Sequence, residues 1–406
     1  MTSPLRPAVL WPLALAVGVG VFFVTCLTEP AETHTLNFGT EYGEMAKAPF
    51  ALLGKFPHRL LAPLVAHVLG LAGERYWMFA HGCTMLLIAM IFATAERHGA
   101  RPWQALLLTT VIGFTGTIQI YKGHVGYPDP ITWALMLATI LAVRRPVLFW
   151  SLQFLNVMHH EQILFFWPWL LYWRHRDDWR TAKSWLPDVL GGAVAAGAYY
   201  LWCAYVHHHA PTQLLTTEHY EKVNYFPIGT IGLTALNLLS TYIWFGALPV
   251  IIAWHVFFDG WRRVGFGVAL YLVSLHAVFG VAHDVYRFTC FLFVPLLFAG
   301  LRLMTQRAGW VTLLGIGLLS AVAIKRQAPV FEEIGTAVLV EQTANGPAVR
   351  PEPVMTIVPE VIPMFPWTFA AYGLALIATI AVGWAWARRS RVPITRADDR
   401  PDPTPE

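Results

Sequence analysis

Apolar residues run in blocks along the whole chain, near 8–27, 76–95, 103–120, 131–143, 147–158, 161–173, 185–206, 233–258, 266–282, 288–301, 310–324 and 366–387. A helix that crosses a bilayer directly needs about 20 apolar residues, because lipid offers the backbone no hydrogen-bond partner. The pattern therefore predicts an all-α, polytopic membrane bundle of about 10–12 helices, in a single domain over 1–387. Several blocks are shorter than a full crossing and need neighbours that bury them or a wet cavity beside them. Residues 28–75, 207–232 and 325–365 read as loops on one side of the membrane, and 388–406, polar and Pro-rich, as a disordered tail. Within the first loop, FPHRLLAPLVAHVLGLAG at 56–73 carries apolar residues at 60, 61, 64, 65, 68 and 69. That spacing predicts a helix lying in the interface, too short and too broken by Pro63 to cross.

Charge gives the blocks a direction. With the N-terminus in the cytoplasm, the inner turns hold Arg6, Arg97 and Arg101, Arg144 and Arg145, the 174–183 cluster, Arg262 and Arg263, Arg302 and Arg307, and the basic tail. Eighteen of the 28 Lys and Arg residues then fall on this side, each group in a short loop, as the positive-inside rule requires. Both termini are expected in the cytoplasm and the chain in an inner or plasma membrane. Arg6 followed by 8–27 is expected to be an uncleaved first helix rather than a signal peptide. The basic turns at 144–145 and 173–180 also force 147–173 to go out and return, as a hairpin of two short helices with its apex at Met158-His159-His160-Glu161.

Composition agrees with the bilayer reading. The chain of 406 residues is 56% hydrophobic and 13% charged, where soluble domains carry about a quarter charged residues. A net charge of +4, mostly one-sided, argues topology rather than nucleic-acid binding. Cys26, Cys83, Cys203 and Cys290 sit in apolar runs without a CxxC pair and read as packed thiols.

The polar residues with chemistry collect on the other side. The first loop carries Glu41, Tyr42, Glu44 and His58-Arg59; the turn YKGHVGYPDP carries Lys122, His124 and Asp129. The hairpin apex adds His159, His160 and Glu161, and AHDVYR adds Asp284, Tyr286 and Arg287. Acids, bases and cations from separate segments thus face one aqueous surface, a combination suited to neutralising an anionic substrate and moving a proton. Each group also has a plainer role. The HHE trio can cap the hairpin and hydrogen-bond to neighbouring helices, act as acid, base or phosphate contact, or bind a metal. His-His-Glu lacks the i, i+4 histidine pair of a zinc helix, so no metal ligands and no cofactor are assigned, a divalent cation staying open. Asp129 before Pro130 is a helix-start signature, Arg287 beside Asp284 can be a structural ion pair, and the HHH run at 207–209 follows a helix end as a solvated cap. No Walker loop, dinucleotide fingerprint or nucleophile elbow occurs in the sequence.

The order of these elements resembles the GT-C superfamily of polytopic glycosyltransferases, closest to poorly characterised bacterial members. The matching positions are Gly39, Tyr42, Ala46 and Pro49; Arg59, Leu61, Pro63 and Leu64; Asp129-Pro130; His160-Glu161 with Pro168; and Tyr286-Arg287 with Pro295. They cover about residues 36–300. Where the first element would hold two acids this chain has Phe38 and Ala48, so Glu41 or Glu44 would have to serve as the base. The resemblance implies a sugar donor on a polyprenyl phosphate, reached from the bilayer, and an acceptor on the outer face. It implies catalysis by Glu41 or Glu44 with His160 and Glu161, and substrate contacts from Tyr42, Arg59, Lys122, His124, Asp129, His159, Asp284, Tyr286 and Arg287. Other classes remain open: a transporter or flippase of a lipid-linked or anionic solute, a noncatalytic assembly partner in envelope-polysaccharide synthesis, and a metal-dependent membrane hydrolase. A transporter would want polar groups at mid-bilayer depth and inverted repeats.

Overall fold

Proline and arginine punctuate the chain into its helices. The computed structural model describes residues 5–35, 38–52, 56–176, 182–210, 241, 244–279, 285–306, 308–327, 331–343 and 346–357. The helices are α1 (Pro7–Thr25), α2 (Phe38–Lys47), α3 (Leu61–Val68), α4 (Tyr76–Arg97), α5 (Pro102–Gly113), α6 (Gly116–Gly123), α7 (Asp129–Leu141) and α8 (Pro146–His159). They continue as α9 (Trp167–His175), α10 (Ala182–His209), α11 (Pro249–Asp259), α12 (Phe266–Phe279), α13 (Val285–Thr289), α14 (Phe293–Met304) and α15 (Gly309–Gln327). Proline stands in the first turn of α1, α5, α7, α8, α9 and α11, where its missing N–H costs nothing and its fixed φ suits the helix.

Among the described residues, four helical stretches are long and apolar enough to cross a membrane: 7–25, 73–97, 185–209 and 287–304. The pair α5 and α6, bent by 51° at its break, makes a fifth. Shorter apolar helices fill in at 129–141, 249–259, 266–278 and 309–321. This is a helical bundle of the integral-membrane kind. Its centre is α4 with α13 and α14: 83% of the 287–304 window is buried, against 11% for α10, which stands at the periphery. The exposed apolar side chains of α1 (Leu15, Val19, Phe23) and α10 (Val189, Val194, Leu201) are the surface a bilayer would cover.

Two ends of the bundle are defined by contacts. At the arginine-rich end, Leu5 N–H donates to Glu96, Gln104 Nε2 to Met304 O at 3.3 Å, and Arg174 to Val143 O. Buried Asp188 on α10 accepts from Trp150 Nε1 at 2.8 Å and from Arg174 Nε at 2.8 Å, with His175 as a third neighbour. At the opposite, histidine-rich end, Lys122 Nζ donates to Glu29 O at 3.1 Å, and Trp202 Nε1 to His58 O at 2.8 Å. Consecutive long helices alternate between these ends.

The 147–173 hairpin has the shape the basic turns dictate. α8 climbs to His159, His160 is extended at φ −155° and ψ 117°, a 3-10 turn runs over Glu161–Phe166, and α9 returns. Its height is set by a polar seam on α7: Gln153 Nε2 donates to Thr139 Oγ1 (2.8 Å), Asn156 Nδ2 to Thr132 O (3.0 Å), and His159 Nε2 lies 2.7 Å from Pro128 O. Those three α8 residues are spaced i, i+3, i+6, one helical face.

Two readings change. The 325–365 loop contains an antiparallel hairpin, β1 (Phe331–Thr343) and β2 (Gly346–Ile357), paired from Phe331↔Ile357 to Thr343↔Gly346. Its Pro351 and Pro353 are tolerable because both strands of a two-stranded ribbon are edges. His207–His209 form the last turn of α10 rather than following it. On α3 the apolar face is turned outward at Val65, Val68 and Leu69, as a helix lying in the interface requires, while Ala62 and Ala66 pack inward; small residues let this short helix sit close to α2. Residues 211–240 and 358–406, with the 366–387 block and the tail, lie outside the described residues.

Gly39 shows how tightly the first loop is pressed onto the core. A Cβ there would stand 2.0 Å from Val125 O and 2.9 Å from Gly126 Cα. Gly39→Ala is expected to push α2 off the 124–127 turn and to cost about 1–3 kcal/mol. Thermal unfolding in detergent checks it; an unshifted melting temperature would mean that α2 is loosely docked.

Candidate functional site

The histidine-rich end gathers five stretches of chain that are remote in sequence. Arg59, just ahead of α3 and held by an N–H bond to Phe56 O at 3.0 Å, reaches the hairpin apex 102 positions on. Its Nε donates to Glu161 Oε2 at 3.1 Å, its Nη2 to Glu161 Oε1, and its Nη1 to the Tyr42 hydroxyl at 3.1 Å. The guanidinium also lies 4.1 Å from the Phe56 ring centroid. His58 Nε2 is 3.4 Å and His160 Nδ1 3.9 Å from Glu161 Oε2. A forked Arg–carboxylate pair of this kind combines charge with fixed geometry.

Beside it stands a second pair. Arg287 Nε, on α13, is 3.0 Å from Asp129 Oδ2 at the start of α7. The Arg287 guanidinium covers the rings of Tyr127 at 4.6 Å and Phe288 at 5.1 Å. The two pairs share one electrostatic field, since Tyr42 and His160 each feel Arg59, Glu161 and Arg287. α10 closes a side: Tyr199 and Cys203 both sense the Glu161 charge.

Burial is graded across the cluster. Asp129 and the His160 side chain are fully buried, Arg59 and His58 nearly so, while the Glu161 side chain keeps 25% of its surface. Burial opposes ionisation of Glu161, yet Arg59, with His160 and His58, holds its pKa well below the usual carboxylate range. Burial, with the Arg59 charge added, pushes His160 well below its ordinary 6.5. Burial raises the Tyr42 phenol to about 12 against the pull of Arg59. His160 therefore sits neutral in the fold. A buried neutral histidine stabilises fully above its ordinary value, and that contribution fades as pH falls below it. Melting temperature in detergent is expected to be level between pH 6.5 and about 8 and to drop below 6.5, with a shallower drop in His160→Gln. Equal slopes for the two proteins would contradict this.

Not every expected residue joins the cluster. Tyr42, Arg59, His160 and Glu161 meet directly, and Asp129 with Arg287 adjoins them. His159 is next to the site but spends its Nε2 on Pro128 O, the structural role its trio could also have had. Glu44 pairs with Lys47 at 2.7 Å on an exposed face, and the structure does not bring it to the cluster. Glu41, half-buried beside Tyr42 on α2, has its Oε2 shielded from solvent. Lys122, buried and bonded to Glu29 O and to Gln119 Oε1 at 3.2 Å, ties the end of α1 to α6. His124 is exposed, 5.8 Å from the Tyr127 ring. Asp284 lies outside the described residues, as does the side chain of Tyr286, whose backbone belongs to α13. His58, Tyr199, Trp202 and Cys203 join the site without having been assigned to it. His58 was legible as Arg59's neighbour, while the α10 residues sit inside an apolar run that carries no such signal.

Among the described residues no group of three or more His, Cys, Asp or Glu side chains is arranged to hold a metal ion. Chemically, two guanidiniums, two carboxylates and a ring of histidines can bind an anionic group and exchange a proton with it. No family model, no curated protein and no solved structure matches the chain.

Proposed function

We propose that the chain is a polytopic membrane glycosyltransferase, similar to the GT-C superfamily, that moves a sugar from a polyprenyl-phosphate donor to an acceptor. In this reading about 10–12 helices cross the bilayer, the arginine-rich end faces the cytoplasm, and the reaction takes place at the histidine-rich, extracytoplasmic end. What carries the reading is the meeting of Tyr42, Arg59, Asp129, His160-Glu161 and Arg287 in one cluster. These are the dispersed positions on which the resemblance rests. The buried charges also support a surface-end reaction over transport: Arg59, Glu161, Asp129, Arg287 and Lys122 sit at helix ends rather than at mid-depth.

Glu41 takes the proton of the acceptor hydroxyl as its oxygen attacks the anomeric carbon. The bond from that carbon to the phosphate oxygen breaks, and the lipid phosphate leaves with the electron pair. Arg59 and Arg287 stabilise the charge growing on it, and His160 Nε2–H donates to a phosphate oxygen. Glu161 is a poor base because Arg59 holds it ionised; its task is to orient Arg59. Glu41 stands ahead of Glu44 as the base because it is half-buried beside Tyr42, whereas Glu44 stands on an exposed face of α2.

Transfer of radiolabelled sugar from a polyprenyl-phosphate donor in proteoliposomes tests this. Glu41→Gln is expected to slow transfer about 10²–10⁴-fold, the usual worth of a general base. If Glu41→Gln, Glu44→Gln and Arg287→Ala all transfer at the wild-type rate, the mechanism is wrong. For orientation, Glu44→Cys in a background without native thiols is expected to react with a membrane-impermeant maleimide from outside, and Arg145→Cys only after permeabilisation. The reverse pattern would invert the topology.

A further inference from the structure

Three of the five N–H donors of Arg59 are engaged: Nε and Nη2, its forked edge, hold Glu161, and Nη1 holds Tyr42. A phosphate can fork onto the Nε–Nη2 edge only if Glu161 lets go. The surrounding charge is balanced as it stands, with Arg59 against Glu161 and Arg287 against Asp129. Adding an anion to a balanced, buried set of charges is costly unless positive charge arrives with it. A proton is the one positive charge the cluster's own groups can accept.

The cluster also holds a hydrogen-bond donor without an acceptor. His160 Nδ1 accepts the Gln162 N–H at 3.4 Å, so the neutral ring carries its hydrogen on Nε2. That atom is buried and has no hydrogen-bond partner among the described residues. A buried donor left unsatisfied is costly, and it marks where a ligand oxygen would be welcome. Glu161, moreover, is the member of the cluster with the most exposed side chain, hence the one able to swing toward water.

We propose that the Arg59–Glu161 ion pair is the resting form of an anion site, and that a phosphate group takes the place of Glu161 on Arg59 while the freed Glu161 carboxylate takes up one proton. The inference rests on the reading of the site as a lipid-phosphate site and adds the proton linkage to it. Several groups facing Glu161 bear on that proton. From the first loop and α2 these are Arg59, His58 and Tyr42, and from the hairpin His159 and His160. From α10 they are Tyr199 and Cys203, while Arg287 of α13, paired with Asp129 of α7, acts on His160. Each carboxylate of the cluster has an arginine beside it, so a freed Glu161 is the group that gains most from protonation.

The test is calorimetric titration of the full chain in nanodiscs, with polyprenyl monophosphate and separately with inorganic phosphate. Runs at pH 6 to 8, in two buffers of different ionisation enthalpy, give the proton count. The expected result is uptake of about one proton per lipid phosphate bound, with Kd tightening up to about tenfold per pH unit of acidification. Folded Glu161→Gln is expected to bind at pH 7.5 at least as tightly as wild type, with a flat pH profile and no uptake. Lipid-phosphate binding without uptake overturns the linkage and leaves the lipid-phosphate reading standing. Equal affinity for inorganic phosphate, with uptake, supports the linkage and removes the lipid specificity. Uptake that persists in Glu161→Gln puts the proton on the phosphate or a histidine and overturns the proposal, as does loss of binding in that variant while folded. Absence of binding by either probe overturns both. If Glu161→Gln fails to fold, the wild-type proton count decides alone.

Discussion

Arg59→Ala is expected to unfold the histidine-rich end and abolish transfer together. Removing the guanidinium leaves the Glu161 carboxylate without its counter-ion and the Tyr42 hydroxyl without its donor, with Tyr42 2% exposed. Breaking a buried ion pair from one side costs about 3–5 kcal/mol, mostly because of the orphaned charge. The companion Arg59→Gln/Glu161→Gln removes both charges and is expected to regain much of that stability while staying inactive. The comparison separates fold from chemistry. Thermal unfolding in detergent, read beside the transfer assay, checks both. A loss below about 1 kcal/mol would put the pair among surface salt bridges, which contribute little, and would take from the site its central anchor.

Arg287→Ala is the second large effect. Its partner Asp129 is fully buried and sits at the first turn of α7, next to the proline that starts the helix. Without Arg287 that carboxylate has to be buried unpaired or take a proton, a cost again of about 3–5 kcal/mol. Transfer is expected to fall by a further factor of about 10²–10³ beyond any loss of folded protein, the usual effect of losing one group that stabilises developing charge. Arg287→Gln combined with Asp129→Asn is expected to fold well and transfer no faster than Arg287→Ala. Recovery of transfer in that double variant would make the pair a strut with no part in the chemistry.

Much of the architecture can be read from charge alone. Short basic turns at 144–145 and 173–180 leave one route for 147–173, and α8, the apex and α9 follow it. They also put the apex at the same end as the 128–130 turn, where His159 meets Pro128 O. What cannot be read is partnership. Nothing in the spacing of Arg59 and Glu161, 102 positions apart, says that they touch. Nor does anything in the apolar run of α10 say that Tyr199 and Cys203 turn inward while Leu201 stays out. The first loop shows the same limit on a smaller scale. Glu41 and Glu44 are equally acidic and three positions apart, but the rotation of α2, set by Tyr42 packing inward, leaves Glu44 outside with Lys47. The outward apolar face of α3, by contrast, follows from its pattern: at a lipid interface small residues go in and large apolar ones stay out.

Above all, the Arg59–Glu161 cluster at the histidine-rich end is proposed to take the phosphate of a polyprenyl lipid. Photocrosslinking with a polyprenyl phosphate that carries a diazirine on its first isoprene unit, followed by peptide mapping, tests it most directly. Labels are expected on the hairpin apex around 158–162, on α2 near Tyr42 and on α10 near Tyr199 and Cys203, and unlabelled polyprenyl phosphate is expected to suppress them. Labels confined to the arginine-rich end near Arg145 and Asp188, or spread evenly over the lipid-facing sides of α1 and α10, would contradict the account.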